Sequence, residues 1–386
     1  VDDLTSGKAR IDDIAPIRIE DLLGRNSVPP DPLLLGPGIS GSSVCVTGAG
    51  GSIGSELIRQ IIKFKPSTLI LLDRSEPSLY KIEQEIIRDL PEEVNLKVVL
   101  GSANNLLRIE KLFIKEKTQV VFHAAAYKHV PLVEANPLQG IVNNALTTRN
   151  LCEASLRAGV KKFCLISTDK AVRPTNVMGA SKRLAELVVQ AFHMKASYEK
   201  NEKDGSFTCF SMVRFGNVLG SSGSVVPLFR QQIASGGPIT ITHPKIIRYF
   251  MTVYEAAQLV LQSSMLSEGG EVFLLDMGDP VLINNLAKEM IRLSGLTLKD
   301  RFNPEGDIEI IYTGLGLGEK LFEELLIDGE SIPTKHPLIF KAIESSINPD
   351  YLWREIDKLE KSIKISDEQT SLKILSQLIP EWKRGK

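Results

Sequence analysis

The sequence predicts an α/β fold with a doubly wound parallel sheet and a smaller C-terminal lobe. From Ser43 onward, short apolar runs alternate with amphipathic helical patterns. Near-continuous apolar strands separated by helices are typical of a parallel sheet that helices cover on both faces. After about Asn217 the alternation breaks down into Gly- and Pro-rich loops. The length of 386 residues suits one large domain with such a lobe.

The elements of the core follow from these patterns. Strands are predicted at the apolar runs Val44–Thr47, Thr68–Asp73, Leu96–Gly101, Gln119–His123, Lys162–Ser167 and Thr208–Val213. Helical patterns lie between them, the clearest at Ser52–Phe64, Pro77–Arg88 and Asn136–Ala158.

The same patterns divide the chain into segments. Residues 1–41 are polar and rich in Pro and Gly near their end, and we interpret them as a linker. Residues 42–215 carry the strand–helix alternation, and residues 216–345 form the lobe, which we expect to be interleaved with the core. Residues 346–386 are predicted to be a C-terminal helical segment.

Composition excludes several classes of function. The net charge is −1, from 46 basic and 47 acidic residues, so no overall field favours nucleic acid or an anionic membrane. The cysteines are far apart and form no metal-binding spacing, so we predict no metal site and buried thiols in a reducing compartment. No apolar run reaches the ~18 residues of a membrane helix. There is no signal peptide, and because the chain begins at Val1 we expect it to be a fragment of a longer protein.

A glycine-rich loop (TGAGGSIG) follows the first strand and opens the first helix, which is the context of a dinucleotide-binding site. Gly48 permits the tight turn, Gly51 lets the backbone approach a pyrophosphate, and Gly54 allows close helix–strand packing. The helix N-terminus then faces the phosphates. The predicted cofactor-binding residues of the loop are Gly48, Gly51, Ser52, Ile53 and Gly54.

A second signal agrees with the loop. Asp73 ends the next strand, about 20 residues on, where a carboxylate binds the ribose hydroxyls of NAD. The alternative is an Asp that merely caps a helix. Arg74 follows directly and could hold the 2′-phosphate of NADP instead, but the carboxylate favours NAD.

The Gly-x-x-Gly-x-x-Gly spacing resembles the extended short-chain dehydrogenase/reductase superfamily and thus implies a Rossmann fold. In that superfamily the chemistry lies at the end of the fifth strand and on the helix that follows it. Here the strand runs into Thr168, Asp169 and Lys170, and the helix carries Met178 and Lys182 at positions i and i+4, on one face. Most members of the superfamily have Tyr and Lys at these two helix positions.

Methionine cannot exchange protons, so another group must do so, or the protein is inactive. Asp169 and Lys170 are the candidates, because strand ends of a doubly wound sheet face the ligand crevice and an adjacent acid and ammonium can act as acid and base. The alternative is a surface ion pair in a loop. Two proton-handling groups beside a hydride site suggest an elimination. Sugar-nucleotide 4,6-dehydratases need one, since they oxidise C4, remove the C5 proton, expel the C6 hydroxyl as water and return the hydride to C6.

Several ordered blocks make the resemblance specific. The chain resembles the UDP-N-acetylglucosamine 4,6-dehydratases of the bacterial polysaccharide-biosynthesis family over most of residues 20–340. The blocks are FHAAAYKHVP from Phe122, STDKAVRPTNVMGASK from Ser167, VRFGNVLGSSGSVVPLF from Val213 and HPKIIRYFMT from His243. Met178 and the segment IRIEDLLGR from Ile17 resemble the larger, membrane-anchored branch of that family, whereas the shorter soluble branch keeps Tyr.

The resemblance implies roles for the reactive residues. Lys182 positions the nicotinamide ribose, Thr168 binds the C4 oxygen, Asp169 is the acid for the C6 hydroxyl, and Lys170 is the base at C5. The group that takes the proton of the C4 hydroxyl stays open, with Asp169, directly or through water, as first choice. Because the hydride returns to the sugar, we expect NAD to be tightly bound.

Further contacts are also implied. Arg248 and Asn217 fall where the superfamily contacts the UDP diphosphate, a task that suits the planar fork of arginine, and Lys128 could reach either cofactor or sugar. The remaining expected contacts are Ser102, Ala124 and Ala125 with the cofactor, and Glu319 with the substrate.

The chain departs from the family pattern in two places. Gly316 and Leu317 stand where an Arg-Pro pair helps to bind the diphosphate, so we expect weaker substrate affinity or compensation by Lys320. Ser102 lies where an Asp commonly accepts a hydrogen bond from the adenine amino group, and serine accepts that bond less strongly.

The predicted reaction is the conversion of UDP-N-acetylglucosamine to UDP-2-acetamido-2,6-dideoxy-4-hexulose, with retention at C5 favoured. We expect a homo-oligomer whose parent protein is anchored at the inner membrane, with this part on the cytoplasmic side. A nucleotide-sugar 4-epimerase and a catalytically silent NAD-binding regulator are the alternatives. Met178 disfavours the epimerase but fits the regulator.

Overall fold

The computed structural model describes residues 29–202, 207–221, 223–326, 330–344 and 346–384. The segment from Ile17 to Arg25, which carried part of the family resemblance, lies outside the described residues, as does most of the predicted linker. Among the described helices, none combines the length and the apolar character that a membrane crossing requires.

The strands are short and mostly apolar. In chain order they are β1 (Ser43–Thr47), β2 (Thr68–Asp73), β3 (Asn95–Leu100), β4 (Val120–His123), β5 (Lys162–Ile166), β6 (Cys209–Arg214), β7 (Asn217–Leu219), β8 (Ile239–Ile241), β9 (Ile247–Arg248), β10 (Phe250–Thr252), β11 (Val272–Leu275), β12 (Val281–Leu282), β13 (Leu298–Lys299), β14 (Ile308–Tyr312), β15 (Ser331–Pro333) and β16 (Ile339–Ala342).

The helices connect and cover these strands. In chain order they are α1 (Ser52–Ile61), α2 (Glu76–Ile86), α3 (Leu106–Lys115), α4 (Val130–Glu134), α5 (Pro137–Ile141), α6 (Thr147–Ala158), α7 (Val177–Glu202), α8 (Val225–Ala234), α9 (Val253–Leu266), α10 (Ile283–Leu293), α11 (Pro349–Lys364) and α12 (Glu368–Leu378).

The core is a nine-stranded sheet with the order β15-β16-β11-β6-β5-β4-β1-β2-β3. The strands from β3 to β11 in this order are parallel, and β16 and β15 add an antiparallel edge. The order 3-2-1-4-5-6 is that of a Rossmann fold. The predicted α/β, doubly wound fold is therefore confirmed.

Apolar side chains on both faces of the sheet explain why its strands are apolar at successive positions. Along β1, Cys45 packs into one buried cluster while Val44 and Val46 pack into the cluster on the opposite face. Successive side chains of a strand point to opposite faces, so a strand covered on both sides has no polar face. This is the pattern by which the central strands were predicted.

The predicted core strands are all present, with ends that differ by a residue or so. The helix predicted over Asn136–Ala158 is instead two helices, α5 and α6, joined by a π-helical turn at Val142–Leu146. A π-turn inserts one extra residue into the helical repeat, and such turns are frequent at functional sites. The apolar periodicity did not reveal this insertion.

The C-terminal lobe has its own small core. Phe229, Ile239, Ile308 and Leu286 belong to a buried cluster between α8, α10 and the three-stranded sheet β13-β14-β8. Other parts of residues 216–345 return to the large sheet, because β11, β15 and β16 belong to it and α9 packs against α1. At the C-terminus, Trp353 of α11 stacks edge-on against Phe192 of α7, with ring centroids 5.0 Å apart.

A buried cluster of charges joins the sheet to helix α7. The Arg214 guanidinium, fully buried, donates to Glu186 Oε1 at 2.7 Å and Oε2 at 2.6 Å, and also pairs with Glu344. Arg183 lies 3.1 Å from Glu186 and 2.9 Å from Glu344. Burial acts to raise the pKa of Glu186, but Arg214 and Arg183 outweigh it and lower this pKa to about 2.

Glu186→Gln is expected to destabilise the protein by about 3 kcal/mol at pH 7, because it removes one of the carboxylates that compensate the charges of buried Arg214 and Arg183. The folded pKa of Glu186 is lowered to about 2, so its contribution is present above the unfolded value near 4.3 and is lost as pH falls toward 2. Urea unfolding at several pH values measures both effects. The variant should lose less stability than the wild type between pH 4.5 and pH 3. If the free energy of unfolding falls equally steeply with pH in both proteins, the lowered pKa of Glu186 is wrong.

The matched control is Glu289→Gln. Glu289 pairs with Arg292 on the exposed face of α10, and surface pairs contribute little. We expect the control to unfold at the same urea concentration as the wild type.

Candidate active site

The glycine loop passes against the chain that leaves β4. Gly48 has φ +68°, and a Cβ there would lie 2.7 Å from the backbone nitrogen of Ala125 and 2.8 Å from the carbonyl carbon of Ala124. A Cβ at Gly54 would overlap the carbonyl oxygen of Gly48. Only glycine fits at both positions, and the close packing leaves the N-terminus of α1 at the carboxyl edge of the sheet.

The predicted ribose-binding carboxylate is held at the rim of this loop. Asp73 Oδ2 accepts a hydrogen bond from the Gly50 backbone N–H at 2.9 Å, and Oδ1 accepts one from the Ser75 N–H at 2.9 Å. The neighbouring Arg74 stacks over the Tyr127 ring, 4.4 Å from its centroid. The carboxylate is therefore oriented by the backbone, and the guanidinium has a partner of its own.

The other predicted cofactor contacts lie around the same loop. Ser52 and Ile53 form the first turn of α1, and Ala124 and Ala125 follow β4. The Ser102 hydroxyl oxygen lies after β3 and accepts a hydrogen bond from Asn104 N–H at 3.1 Å.

The π-helical turn positions the chain after β4. Asn144, within this turn, accepts from Tyr127 N–H at 2.8 Å and donates to Tyr127 O at 3.0 Å and to Ser181 Oγ at 2.9 Å. One side chain thus connects the loop after β4 to helix α7. Sequence reasoning missed Asn144, although an Asn-Asn pair in the middle of a predicted helix was a signal.

The reactive segment after β5 brings the predicted catalytic residues together. Thr168 Oγ1 donates to Asp169 Oδ1 at 2.8 Å, and Lys170 Nζ lies 3.0 Å from the same oxygen. Lys170 Nζ also donates to Asn217 Oδ1 at 3.2 Å, and Asp169 is only 2% exposed. Asp169 and Lys170 therefore form a partly buried pair, in which the Lys170 side chain is 22% exposed.

The two lysines of the site have opposite pKa shifts. Burial acts to lower the pKa of Lys170, but the carboxylates of Asp169 and Glu323 outweigh it, and the pKa is raised. Burial lowers the pKa of Lys182 to about 8, with only Glu186 opposing. Lys170 therefore carries a proton in the substrate-free protein, whereas Lys182 titrates close to neutral pH.

Helix α7 holds Lys182 under the end of β5. Its Nζ donates to the Ile166 carbonyl oxygen at 2.6 Å. Met178, one turn earlier, is buried in the apolar cluster on that face of the sheet.

His123, at the end of β4, contacts Thr47 Oγ1 at 2.7 Å and Thr148 Oγ1 at 3.0 Å. Burial, reinforced by the charge of Lys182, lowers the pKa of His123 to about 3, so this histidine is neutral.

Arg248 is positioned by the lobe. Its Nη2 lies 3.3 Å from Glu319 Oε1, and its Nη1 donates to the Ile247 carbonyl oxygen at 2.8 Å. Glu319 is itself held by Thr242 Oγ1 at 3.0 Å and by the Gly316 N–H at 3.0 Å. Within the part of the chain that the structure describes, the hydrogen-bond network does not include Lys128, which lies on the exposed loop between β4 and α4.

The loop that lacks the family's Arg-Pro pair is attached to the segment after the reactive residues. Gly318 O accepts from Thr175 Oγ1 at 2.6 Å and from Asn176 Nδ2 at 3.0 Å. Lys320 Nζ donates to the Val172 carbonyl oxygen at 2.8 Å. Lys320, which was expected to compensate for the missing arginine, is therefore engaged in joining the lobe to the core.

Glu323 is a site residue that sequence reasoning missed. Its carboxylate is buried, and Oε1 lies 3.6 Å from Lys170 Nζ and 4.0 Å from Arg248 Nε. The only signal in the sequence was its position four residues after Glu319. Among the described residues, no group of His, Cys, Asp and Glu has an arrangement that could hold a metal ion.

Comparison with known proteins identifies relatives. The sequence profile of the family described as "Polysaccharide biosynthesis protein" matches residues 44–344. The capsular polysaccharide biosynthesis protein CapD of Staphylococcus aureus is 45% identical over 363 residues, which cover 94% of this chain and 57% of that protein. The chain thus spans little more than half the length of this relative.

Two further relatives are named as enzymes. A UDP-glucose 4-epimerase of Rickettsia rickettsii is 32% identical over 292 residues, covering 75% of this chain and 78% of the relative. A UDP-N-acetylglucosamine 4,6-dehydratase (inverting) of Campylobacter jejuni is 30% identical over 310 residues, covering 80% of this chain and 84% of the relative. Both epimerases and dehydratases of nucleotide sugars are therefore similar to this chain.

Solved structures agree with the fold. Pen from Bacillus thuringiensis superposes with a TM-score of 0.68 at 31% identity, over 80% of this chain and 90% of that one. DesIV, a dTDP-glucose 4,6-dehydratase of Streptomyces venezuelae with NAD bound, gives a TM-score of 0.57 at 20% identity, over 70% of this chain and 84% of that one. The second similarity shows the fold alone.

Gly54→Ala is expected to disturb the glycine loop, because its Cβ would overlap the carbonyl oxygen of Gly48. Overpacking of this kind costs about 1–3 kcal/mol, which corresponds to a fall of roughly 2–10 °C in the midpoint of thermal unfolding. Gly51→Ala is the control, since its Cβ would lie 3.2 Å from the same oxygen. If both variants melt together, the packing described for Gly54 is wrong.

Proposed function

The chain belongs to the polysaccharide biosynthesis protein family, and we propose that it is a nucleotide-sugar 4,6-dehydratase that acts on UDP-N-acetylglucosamine. The observation that carries the proposal is the hydrogen-bonded cluster of Thr168, buried Asp169 and Lys170 beside a helix that has Met178 in place of tyrosine. An elimination needs an acid and a base in addition to a hydride acceptor. This cluster contains both.

We further propose that NAD is the cofactor. The residues around the glycine loop fit NAD. Gly48 and Gly54 allow the backbone to pack closely at the N-terminus of α1. Asp73 presents an oriented carboxylate, which would repel the 2′-phosphate of NADP. Bound NAD supplies the hydride acceptor for C4 and the hydride donor for C6. Lys182 is suited to hold the nicotinamide ribose because its ammonium lies buried at the end of β5.

The protein groups account for every proton in the proposed reaction. Asp169 takes the proton of the C4 hydroxyl, directly or through water, while Thr168 donates a hydrogen bond to the C4 oxygen. Lys170, which is protonated in the substrate-free protein, releases that proton to solvent before the elimination and as the neutral amine takes the C5 proton. Asp169 gives its proton to the C6 hydroxyl, which leaves as water. Lys170 then returns a proton to C5. Asp169 and Lys170 end in the states in which they began.

Substrate contacts and location are proposed on the same basis. Arg248 and Asn217 are suited to the UDP diphosphate, with Glu319 orienting the arginine. The resemblance of Met178 to the larger branch of the family supports a parent protein anchored at the cytoplasmic face of the bacterial inner membrane.

A nucleotide-sugar 4-epimerase is the second candidate, and the 32% identity to a UDP-glucose 4-epimerase favours it. Against it, an epimerase of this superfamily uses the tyrosine that Met178 replaces, and it would have no task for Asp169 and Lys170. A silent regulator explains Met178 but not the hydrogen-bonded cluster of Thr168, Asp169 and Lys170.

Incubation of the protein with UDP-N-acetylglucosamine and NAD in deuterated water, followed by NMR, tests the proposal. We expect a 4-keto-6-deoxy sugar with deuterium at C5 and retained configuration. Because the relative from Campylobacter jejuni is named as an inverting enzyme, the C5 signal must be used to distinguish inversion from retention. Asp169→Asn should lower the rate at least a hundredfold. A 4-epimer without a keto sugar would favour the second candidate, and no turnover at high enzyme concentration would favour the regulator.

Because each catalytic cycle returns the hydride to the sugar, we expect NAD to stay bound between turnovers. Protein purified without added cofactor should release NAD on denaturation, measurable by chromatography and absorbance. An empty protein that binds NAD only at millimolar concentration would contradict this expectation, whatever the reaction.

A further inference from the structure

Glu323 is a buried carboxylate with an incomplete set of partners. It lies in the segment between β14 and β15 and is 8% exposed. Its Oε1 lies 3.6 Å from Lys170 Nζ and 4.0 Å from Arg248 Nε, which are ion-pair distances too long for good hydrogen bonds. Its Oε2 is buried and has no hydrogen-bond partner among the described residues.

Such a carboxylate is costly to the fold. Buried polar atoms normally have partners, and an unpaired one destabilises the folded state. Burial raises the pKa of Glu323 and Asp169 adds to the rise, while Lys170, Arg248 and Lys320 oppose it. Stability of the fold does not explain why a charge is placed here, so its effect on its neighbours is the place to look for its role.

The neighbour most affected is Lys170. Its ammonium lies between two carboxylates, with Asp169 Oδ1 at 3.0 Å and Glu323 Oε1 at 3.6 Å, and Arg248 is the cation that opposes them. An opposite charge within this range changes a pKa by roughly one to three pH units. Asp169 and Lys170 are adjacent on one segment, whereas Glu323 is contributed by the C-terminal lobe.

We propose that Glu323 is a positioning residue of the reaction site, whose carboxylate holds the Lys170 side chain against Asp169 and connects it to Arg248. The inference rests on the proposed function, in which Lys170 is the base at C5. A carboxylate beside the amine makes it a stronger base and stabilises the ammonium that forms when the C5 proton is taken. Through Arg248, the same carboxylate links the diphosphate site to the reactive segment.

The first test needs no turnover. In Glu323→Gln the pKa of Lys170 should fall by about one pH unit or more, which increases its neutral fraction about tenfold at pH 9. We expect acylation of Lys170 by acetic anhydride at that pH, followed by peptide mass spectrometry, to be at least threefold faster than in the wild type. The exposed Lys161 serves as the internal reference.

The matched control is Glu324→Gln. Glu324 is the next residue, but it pairs with Arg173 at the surface. We expect wild-type labelling of Lys170 and wild-type activity. Glu323→Asp keeps the charge but moves it away from Lys170. The labelling rate of Lys170 in this variant should therefore lie between those of the wild type and Glu323→Gln. If Glu323→Gln does not fold, the labelling rate of Lys170 in Glu323→Asp is compared with that in the wild type, and equal rates overturn the inference.

The second test uses the proposed reaction. The limb of kcat/KM that rises with pH reports the base of the free enzyme. It should move about one pH unit lower in Glu323→Gln and stay in place in Glu324→Gln. A lower kcat without movement of the limb would indicate a merely structural role and overturn the inference.

The two tests separate the two proposals. If the wild type forms no keto sugar, the proposed function fails, and the labelling rate still shows whether Glu323 acts on Lys170. Unchanged labelling in Glu323→Gln overturns the inference even when the wild type is an active dehydratase.

Discussion

One buried carboxylate, Glu186, positions both halves of the candidate active site. It accepts hydrogen bonds from Arg214 at the end of β6 and from the Ser167 hydroxyl, at 2.6 Å, at the end of β5. Glu186 also lies on α7, one turn after Lys182. The strand ends that carry Thr168 and Asn217 and the helix that carries the lysine are therefore joined at one point. Because this point is fully buried, its ion pairs are little screened by solvent.

The two lysines of the candidate site have opposite pKa shifts, and the difference comes from their surroundings. Lys170 lies between Asp169 and Glu323, so its charge is compensated within a few ångströms. Lys182 has a carbonyl oxygen as its close partner and only one carboxylate, that of Glu186, acting on it. The same type of side chain is thus a strong base at one position and a weakly basic hydrogen-bond donor at the other. Burial alone would have lowered both pKa values.

The sequence predicted the parts of the molecule that depend on local pattern. Central strands such as β1 are apolar at successive positions because both faces of the sheet are covered, and glycines such as Gly54 are required where the backbone packs closely. The reactive segment was found because Asp169 and Lys170 follow a strand end. Glu323 was missed because its contact with Lys170 joins positions far apart in the chain, and periodicity carries no such information. The return of β11 and β16 to the large sheet and the π-turn at Asn144 depend on tertiary packing in the same way.

The attachment of the 316–320 loop has a consequence for how specificity can change. The Gly318 carbonyl and the Lys320 ammonium fasten this loop to residues 172–176, directly after Asp169 and Lys170. Under the proposed function, mutations that reshape the loop to admit a different sugar would therefore also displace the groups proposed to move protons. For the proposed reaction, substrate range and catalytic rate would then not be independent traits. A change in one would require a compensating substitution across the loop, so evolution or engineering of a new substrate should proceed through paired mutations.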